Sequence, residues 1–247
     1  MSAKKIIIKP ISSSDANRIV KSCHYSGKVV PNSQLHFGVF LGGQCGGALQ
    51  FGPSMRKDLI RPLVNDTSWN GFIELNRMAF ADWLPRNSES RAISIAMRLI
   101  RKSYPHIEWV ISFADGTQCG DGTIYRASGF NLIGIKKNTE LVINPRTGET
   151  MATMAAYHKG FASEVSTWEK LSGHMLRYIY FLKPSAKERL TVPILPFTEI
   201  QRLGAGMYRG QPIKRAGSDT SDTLGIHPRK GGSLPTPVLH YQPILEE

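Results

Sequence analysis

Apolar and polar positions recur along this chain regularly enough to lay out most of its elements. "KKIIIKPI" reads as a short opening strand. Ser14 or Asp15 can cap a helix running to about Cys23, and "HYSG" ends it, with Gly27 just past the C-cap. "LHFGVFL" and "CGGALQFG", joined by "GGQ", predict a hairpin with a glycine-rich turn. Residues 53–71, with Pro53, Pro62, Asn65, Asp66 and Asn70, predict an irregular connection. Phe72 to Phe80 alternate like a strand, so Glu74 and Asn76 share one face and Arg77 points to the other. Pro85 stops that strand, and Asn87 or Ser88 can cap a helix over about 88–103 with Ile93, Met97 and Ile100 on one face.

Farther along, "IEWVISFAD" is the continuous apolar run of a central strand buried on both faces. "GTQCGDG" turns into a short helix, "TIYRASG", which Gly129 terminates. "FNLIGIKK" and "TELVINP" predict a second hairpin, residues 151–175 helix and loop, and "MLRYIYFLK" a last strand. The order predicts a mixed α/β fold with helices flanking a central sheet. After about Phe197 the chain turns rich in Gly, Pro, Ser and Thr with little periodicity. The expected organisation is a domain over 1–197 and a basic, disordered tail over 198–247.

Charge narrows the class of partner. Among 247 residues, 31 are Lys or Arg and 19 are Asp or Glu, a net charge of +12. That excess favours a polyanion: nucleic acid first, then an acidic membrane or a phosphorylated cofactor. A basic but inert surface is the bland alternative. Cys23, Cys45 and Cys119 lie far apart with no metal-knuckle spacing, which fits a reducing compartment. The three consecutive isoleucines near the start are too few for a secretory signal, and no apolar run is long enough to span a membrane. The expectation is a soluble, cytoplasmic chain.

The order of elements resembles the GNAT acyltransferase fold, in which a helix N-terminus after the fourth strand holds a cofactor pyrophosphate. Unpaired N–H groups and the helix dipole make such a site. Here that place is "RNSESRA", Arg86 to Ala92, which lacks the glycines of the usual fingerprint and departs from conventional coenzyme A binding. "HYSG", "ELNRMAF", "SFAD" and "GDGTIYRASGF", in this order over about residues 20–185, resemble the Mom family of phage DNA-modification proteins. The resemblance implies an enzyme that converts adenine in DNA to an N6-carbamoylmethyl form and so protects DNA from host restriction in the bacterial cytoplasm.

Site residues follow from motif and resemblance together. Tyr125 sits where a GNAT tyrosine serves as general acid; an ordinary amphipathic-helix tyrosine is the alternative. Asp115, with Ser112 at the end of the central strand, can accept a proton from an amine or merely cap the next turn. His24 and Tyr25 belong to the active region of the Mom pattern, with His24 as base or metal ligand, or as a residue that only satisfies a helix end. Arg77 needs an anionic partner, either a cosubstrate or a carboxylate such as Asp115 or Asp82. Glu74 and Asn76 line the same strand. Arg86, Asn87, Ser88, Ser90 and Arg91 form a candidate anion site for a cofactor or a DNA phosphate. A flipped adenine needs aromatic walls, for which Tyr25, Trp83 and Tyr125 are candidates.

The donor stays open; an acetyl-coenzyme A-like cosubstrate is one expectation. Iron dependence is suggested for the family, and His24, His36 and Asp115 are the residues of the right types, although their spacing does not demand a site. Two other functions compete: a conventional GNAT N-acetyltransferase acting on a small amine or protein lysine, and a non-catalytic DNA-binding protein on a degenerate GNAT fold. Basic tail residues Lys214, Arg215, Arg229 and Lys230 can add to DNA attraction or be simply solvated.

Overall fold

A computed structural model describes residues 2–117, 120–205, 207–208 and 211–212. The opening stretch divides between a 3-10 turn, Ala3–Lys5, capped by Ile6, and strand β1, Ile7–Pro10, which holds Ile7 and Ile8. Helix α1, Ser13–Cys23, starts earlier than expected because Ser12 is its N-cap, its hydroxyl accepting the Asp15 N–H at 3.1 Å. The C-cap is His24, and Gly27, at φ +61°, closes a separate turn onto the His24 carbonyl. Strands β2, Leu35–Leu41, and β3, Gln44–Gly52, are joined by Gly42 and Gly43 alone, both at positive φ. This is the mirror-image turn that suits the twist of a hairpin. The irregular connection contains a short helix α2, Lys57–Ile60, and a 3-10 turn, Arg61–Leu63.

Strand β4, Phe72–Phe80, leads to helix α3, Ser88–Ser103, whose Ala92, Ile93, Ala96, Met97 and Ile100 are buried. Strand β5, Trp109–Asp115, and helix α4, Thr123–Ala127, follow. Then come β6, Asn131–Ile143; β7, Thr150–Ala152; α5, Thr153–His158; and β8, Glu169–Phe181. Helix α6, Pro184–Glu188, and helix α7, Thr198–Arg202, close the body. Two-residue strands β9, Met207–Tyr208, and β10, Gln211–Pro212, pair with each other. Among the described residues no helix is long and apolar enough to cross a membrane.

Two sequence expectations fail in the second half. The expected hairpin over 130–144 is one strand, β6, paired along β8; register shifts at Leu132/Gly134 and Asn138/Leu141 absorb the residues that read as a turn. β8 also begins at Glu169, inside the stretch expected to be helix and loop. Ser172 and Gly173 disguise it, yet Gly173 is needed there, since a Cβ would lie 2.1 Å from Thr117 Oγ1.

Eight strands form one sheet in the order β1-β2-β3-β4-β5-β8-β6-β7, antiparallel except for the parallel pair β4 and β5. One face carries the main core, with α3, α4 and residues such as Leu49, Phe51, Leu75, Val110 and Tyr178. On the other face α1 covers Ala48 and Ala79, while Phe72, Trp109, Ile111 and Ile179 form a second cluster. The body continues past the expected boundary at 197: Ile200 and Ala205 are buried in the main core, where apolar contact outweighs the Gly-rich composition nearby. The remainder of the expected tail, 213–247 with Lys214, Arg215, Arg229 and Lys230, lies outside the described residues.

Candidate active site

The parallel pairing of β4 and β5 runs only from Phe72↔Trp109 to Glu74↔Ile111, after which the strands part. Just there β4 bulges. Gln50 pairs with Arg77 and Phe51 with Leu75, so Asn76 has no partner on β3. The extra residue resets the alternation. Phe72 and Glu74 before it, and Arg77 and Ala79 after it, therefore lie on the face opposite Leu75 and α3. The expectation that Arg77 points away from Glu74 fails for this reason.

Arg77 satisfies its guanidinium with main-chain oxygen: Nε donates to the Lys28 carbonyl and Nη1 to the Asn76 carbonyl, both at 2.8 Å. Among the described residues no carboxylate comes within ion-pair distance, so neither Asp115 nor Asp82 is its partner. Burial lowers its pKa, against the charges of Tyr25, Glu74 and Tyr125. Burial pushes the Glu74 carboxyl up, opposed by hydrogen bonds from Ser54 and Asn76 and by the Arg77 charge. Asn76 Oδ1 in turn accepts from Ser33 Oγ at 3.1 Å.

His24 turns its Nδ1 inward, 2.8 Å from Ser26 Oγ and accepting the Ser26 N–H at 3.1 Å. Burial, with the Arg77 charge, lowers its pKa to about 4. The ring is thus neutral near pH 7, its lone pair already used and its proton on Nε2. In that state Nε2 is a hydrogen-bond donor, and the ring is a weaker base than an ordinary histidine. The Tyr25 ring lies 4.3 Å from it, centroid to centroid, and is exposed.

On the opposite lip, Ser112 Oγ contacts the Leu75 carbonyl at 3.2 Å and the Tyr125 hydroxyl at 2.9 Å. One serine hydroxyl thus ties β5 to β4 at the parting and to α4. Tyr125 is buried, its ring stacked on Tyr178 at 5.1 Å and edge-on to Phe130 at 5.4 Å. Buried between these rings, it offers no exposed face to a base. Trp83 covers Gly46 near the turn of the first hairpin, four residues along β3 from Gln50, the partner of Arg77, and is no wall for this site either. Tyr25 remains the exposed aromatic of the three.

Asp115 Oδ1 accepts the Thr117 N–H at 3.0 Å, the turn-capping arrangement. Among the described residues no three His, Cys, Asp or Glu side chains gather as a metal would need. His24 is committed to Ser26 and His36 Nδ1 lies 3.3 Å from Gln50 Nε2, so His24, His36 and Asp115 do not fit an iron.

The anion residues lie elsewhere. Asn87 holds the N-cap position of α3 with left-handed backbone, φ +69°, and no side-chain cap. Ser88 is fully buried and gives its hydroxyl to the Pro85 carbonyl at 2.6 Å, so neither caps as expected and Ser88 cannot touch a ligand. Ser90 Oγ turns back to the Asn87 carbonyl at 3.3 Å. Lys4, Arg86, Arg91 and Arg98 nevertheless line a cleft of about 640 Å³ with Asn87, Ser90 and Ala127 of α4. The cleft suits the anionic end of a coenzyme-like donor, and α4 connects it to Tyr125.

Residues 5–199 match the Mom protein family. The chain belongs to the Mom family. Within it, the methylcarbamoylase mom of Escherichia phage Mu is 39% identical over 199 residues, covering 78% of this chain and 82% of that protein. Solved structures that this chain resembles include the ribosomal-protein-S18-alanine N-acetyltransferase from Escherichia coli (10% identity, 72% of this chain, 94% of that chain, TM-score 0.44). Another is the spermidine/spermine N-acetyltransferase from Vibrio cholerae (8%, 75% and 98%, 0.46). These are likenesses of fold, and no site residue is carried over from them.

Sequence reasoning overlooked several groups in and around this candidate site. Ser33, Ser54 and the Lys28 carbonyl come from loops with no periodic signal. Arg177 faces Phe113 across β5 and β8, with burial lowering its pKa. A lone charge inside "MLRYIYF" was the available clue.

Proposed function

We propose that this chain transfers a carbamoylmethyl group to N6 of adenine in DNA, work done in the host cytoplasm that protects the DNA from restriction. The observation that carries the reading is its 39% identity, over most of both chains, to a methylcarbamoylase. The site supports it chemically. Bond formation at N6 releases a proton, and Glu74, its carboxyl raised by burial beside Arg77, is suited to accept it. Tyr125, held 2.9 Å from Ser112, is suited to return a proton to the departing group. His24 offers Nε2–H to a carbonyl oxygen, and Tyr25 gives an exposed ring for an unstacked base. Asp115 shapes the turn that ends β5 and is the alternative proton acceptor.

Nucleoside mass spectrometry of plasmid DNA from cells expressing the chain tests this. A deoxyadenosine heavier by a carbamoylmethyl group, lost with Glu74→Gln and Tyr125→Phe, is the expected result; an unmodified pool from folded protein overturns the reading. Loss with Asp115→Asn and survival with Glu74→Gln would move the proton acceptor to Asp115. The cationic cleft at α3 favours a second reading, a conventional N-acetyltransferase, which saturable acetyl-coenzyme A binding without DNA modification would establish.

A further inference from the structure

We propose that the segment between β3 and β4 is a docking surface for the DNA strand that carries the target base, with Trp69 as a stacking platform and Lys57 and Arg61 as phosphate contacts. The inference rests on DNA being the substrate. Trp69 is 57% exposed, a large apolar ring left in water. Its loop is not slack: the buried Trp109 indole donates to Thr67 Oγ1 at 3.0 Å, and Thr67 Oγ1 donates to the Val64 carbonyl at 2.7 Å. The ring is therefore presented by an anchored turn, so little ordering entropy is left for binding to oppose.

Two cations pack over the ring itself, as cation–π contacts that an incoming base and phosphate would share. Lys57 Nζ lies 4.7 Å from the Trp69 centroid and the Arg61 guanidinium 5.7 Å. Among the described residues neither forms an ion pair, whereas neighbouring Arg56 is matched by Asp58 at 3.3 Å. Lys57 donates to the Asn70 Oδ1 at 3.1 Å and Arg61 to the Thr67 carbonyl at 3.4 Å, neutral partners that leave the charges uncompensated. Asp66, exposed at φ +55°, is the other acid of the segment. An aromatic face with unneutralised cations beside it matches a nucleic-acid strand, base on ring and phosphate on charge.

The surface also joins the active site. Lys57 Nζ sits 5.7 Å from the Phe72 ring, and Phe72 and Glu74 share a face of β4 two residues apart, about 7 Å. Ser54, at the other end of the segment, lies near enough to Glu74 to stabilise its carboxylate. A strand lying over Trp69 therefore runs toward Glu74 and Arg77.

Binding of the full chain to a fluorescent, adenine-containing single strand, followed by anisotropy across a salt series, tests the surface. Trp69→Ala is expected to raise Kd about tenfold. Lys57→Gln with Arg61→Gln is expected to flatten the log Kd against log salt slope by roughly 1 to 2. Tyr157→Ala, an exposed aromatic on α5, should change neither. If Trp69→Ala disturbs folding, Trp69→Leu keeps the apolar contact and removes the π face. Unaltered Kd and slope in these variants, with a parent chain that binds and modifies DNA, overturn the docking surface alone. A parent chain that binds no DNA overturns the proposed function and this inference together.

Discussion

Where β4 and β5 part, nearly every polar group already has a protein partner: Arg77 on two carbonyls, His24 on Ser26, Asn76 on Ser33, Ser112 on Leu75 and Tyr125. At the mouth of α3, four cations line an open cleft, and among the described residues Arg86 and Arg98 make no ion pair. Arg91 reaches only the Lys4 carbonyl, at 3.1 Å, with its Nε buried and unbonded. The first region is preorganised, as chemistry requires, because dipoles fixed in advance need no reorganisation during reaction. The second keeps its cations facing an open cleft with few acceptors among the described residues. The difference teaches that equal basicity can serve two ends, and it separates the expected consequences of mutation.

Arg77→Met should break the first region most severely. Product per plasmid should fall at least about 100-fold, and urea unfolding should show a loss of roughly 2 to 3 kcal/mol, as two carbonyls lose charged donors. Tyr125→Phe should cut kcat by about 100-fold while costing only about 1 kcal/mol in the same titration. A larger stability loss would make Tyr125 a packing residue.

The acid side tests His24. It takes up a proton near pH 6.5 when unfolded and only near 4 when folded. Between those values the unfolded state binds more protons, so stability falls as pH drops through that window and levels off below it. The expected loss is about 3 kcal/mol, measured by denaturant titration from pH 7 to pH 4, and His24→Gln should flatten the slope.

At the α3 mouth, Arg86→Gln with Arg91→Gln should raise KM for the donor about tenfold and leave kcat intact, since ground-state binding alone is removed. A fall in kcat instead would erase the distinction between the regions. Smallest is Asn87→Gly, which relieves a left-handed non-glycine cap and should raise stability by about 0.5 kcal/mol in thermal unfolding. If donor affinity then falls, the Asn87 amide touches the ligand.

Legibility in the sequence followed the locality of each signal. The periodicity of Ile93, Met97 and Ile100 announces α3, the apolar run announces β5, and Gly42–Gly43 announces the first hairpin, because each signal is complete within a few residues. β6 and the start of β8 were hidden, since Asn138 reads as a turn and Gly173 as a break until the neighbouring strand and Thr117 are known. The motifs "HYSG", "SFAD" and "GDGTIYRASGF" supplied candidate residues, yet left roles undecided for His24, Asp115 and Tyr125.

What the sequence determined by itself is the alternation of sheet and helix, the excess of positive charge and the Mom-family motifs, all properties of residues near one another in the chain. Tertiary structure alone decided that Arg77 shares a face with Glu74, that His24 is a neutral donor and that Tyr125 is walled in. Each of those depends on a bulge, a desolvation or a ring contact between residues distant in sequence, and no local pattern encodes the free energy of a contact whose partner is not yet placed.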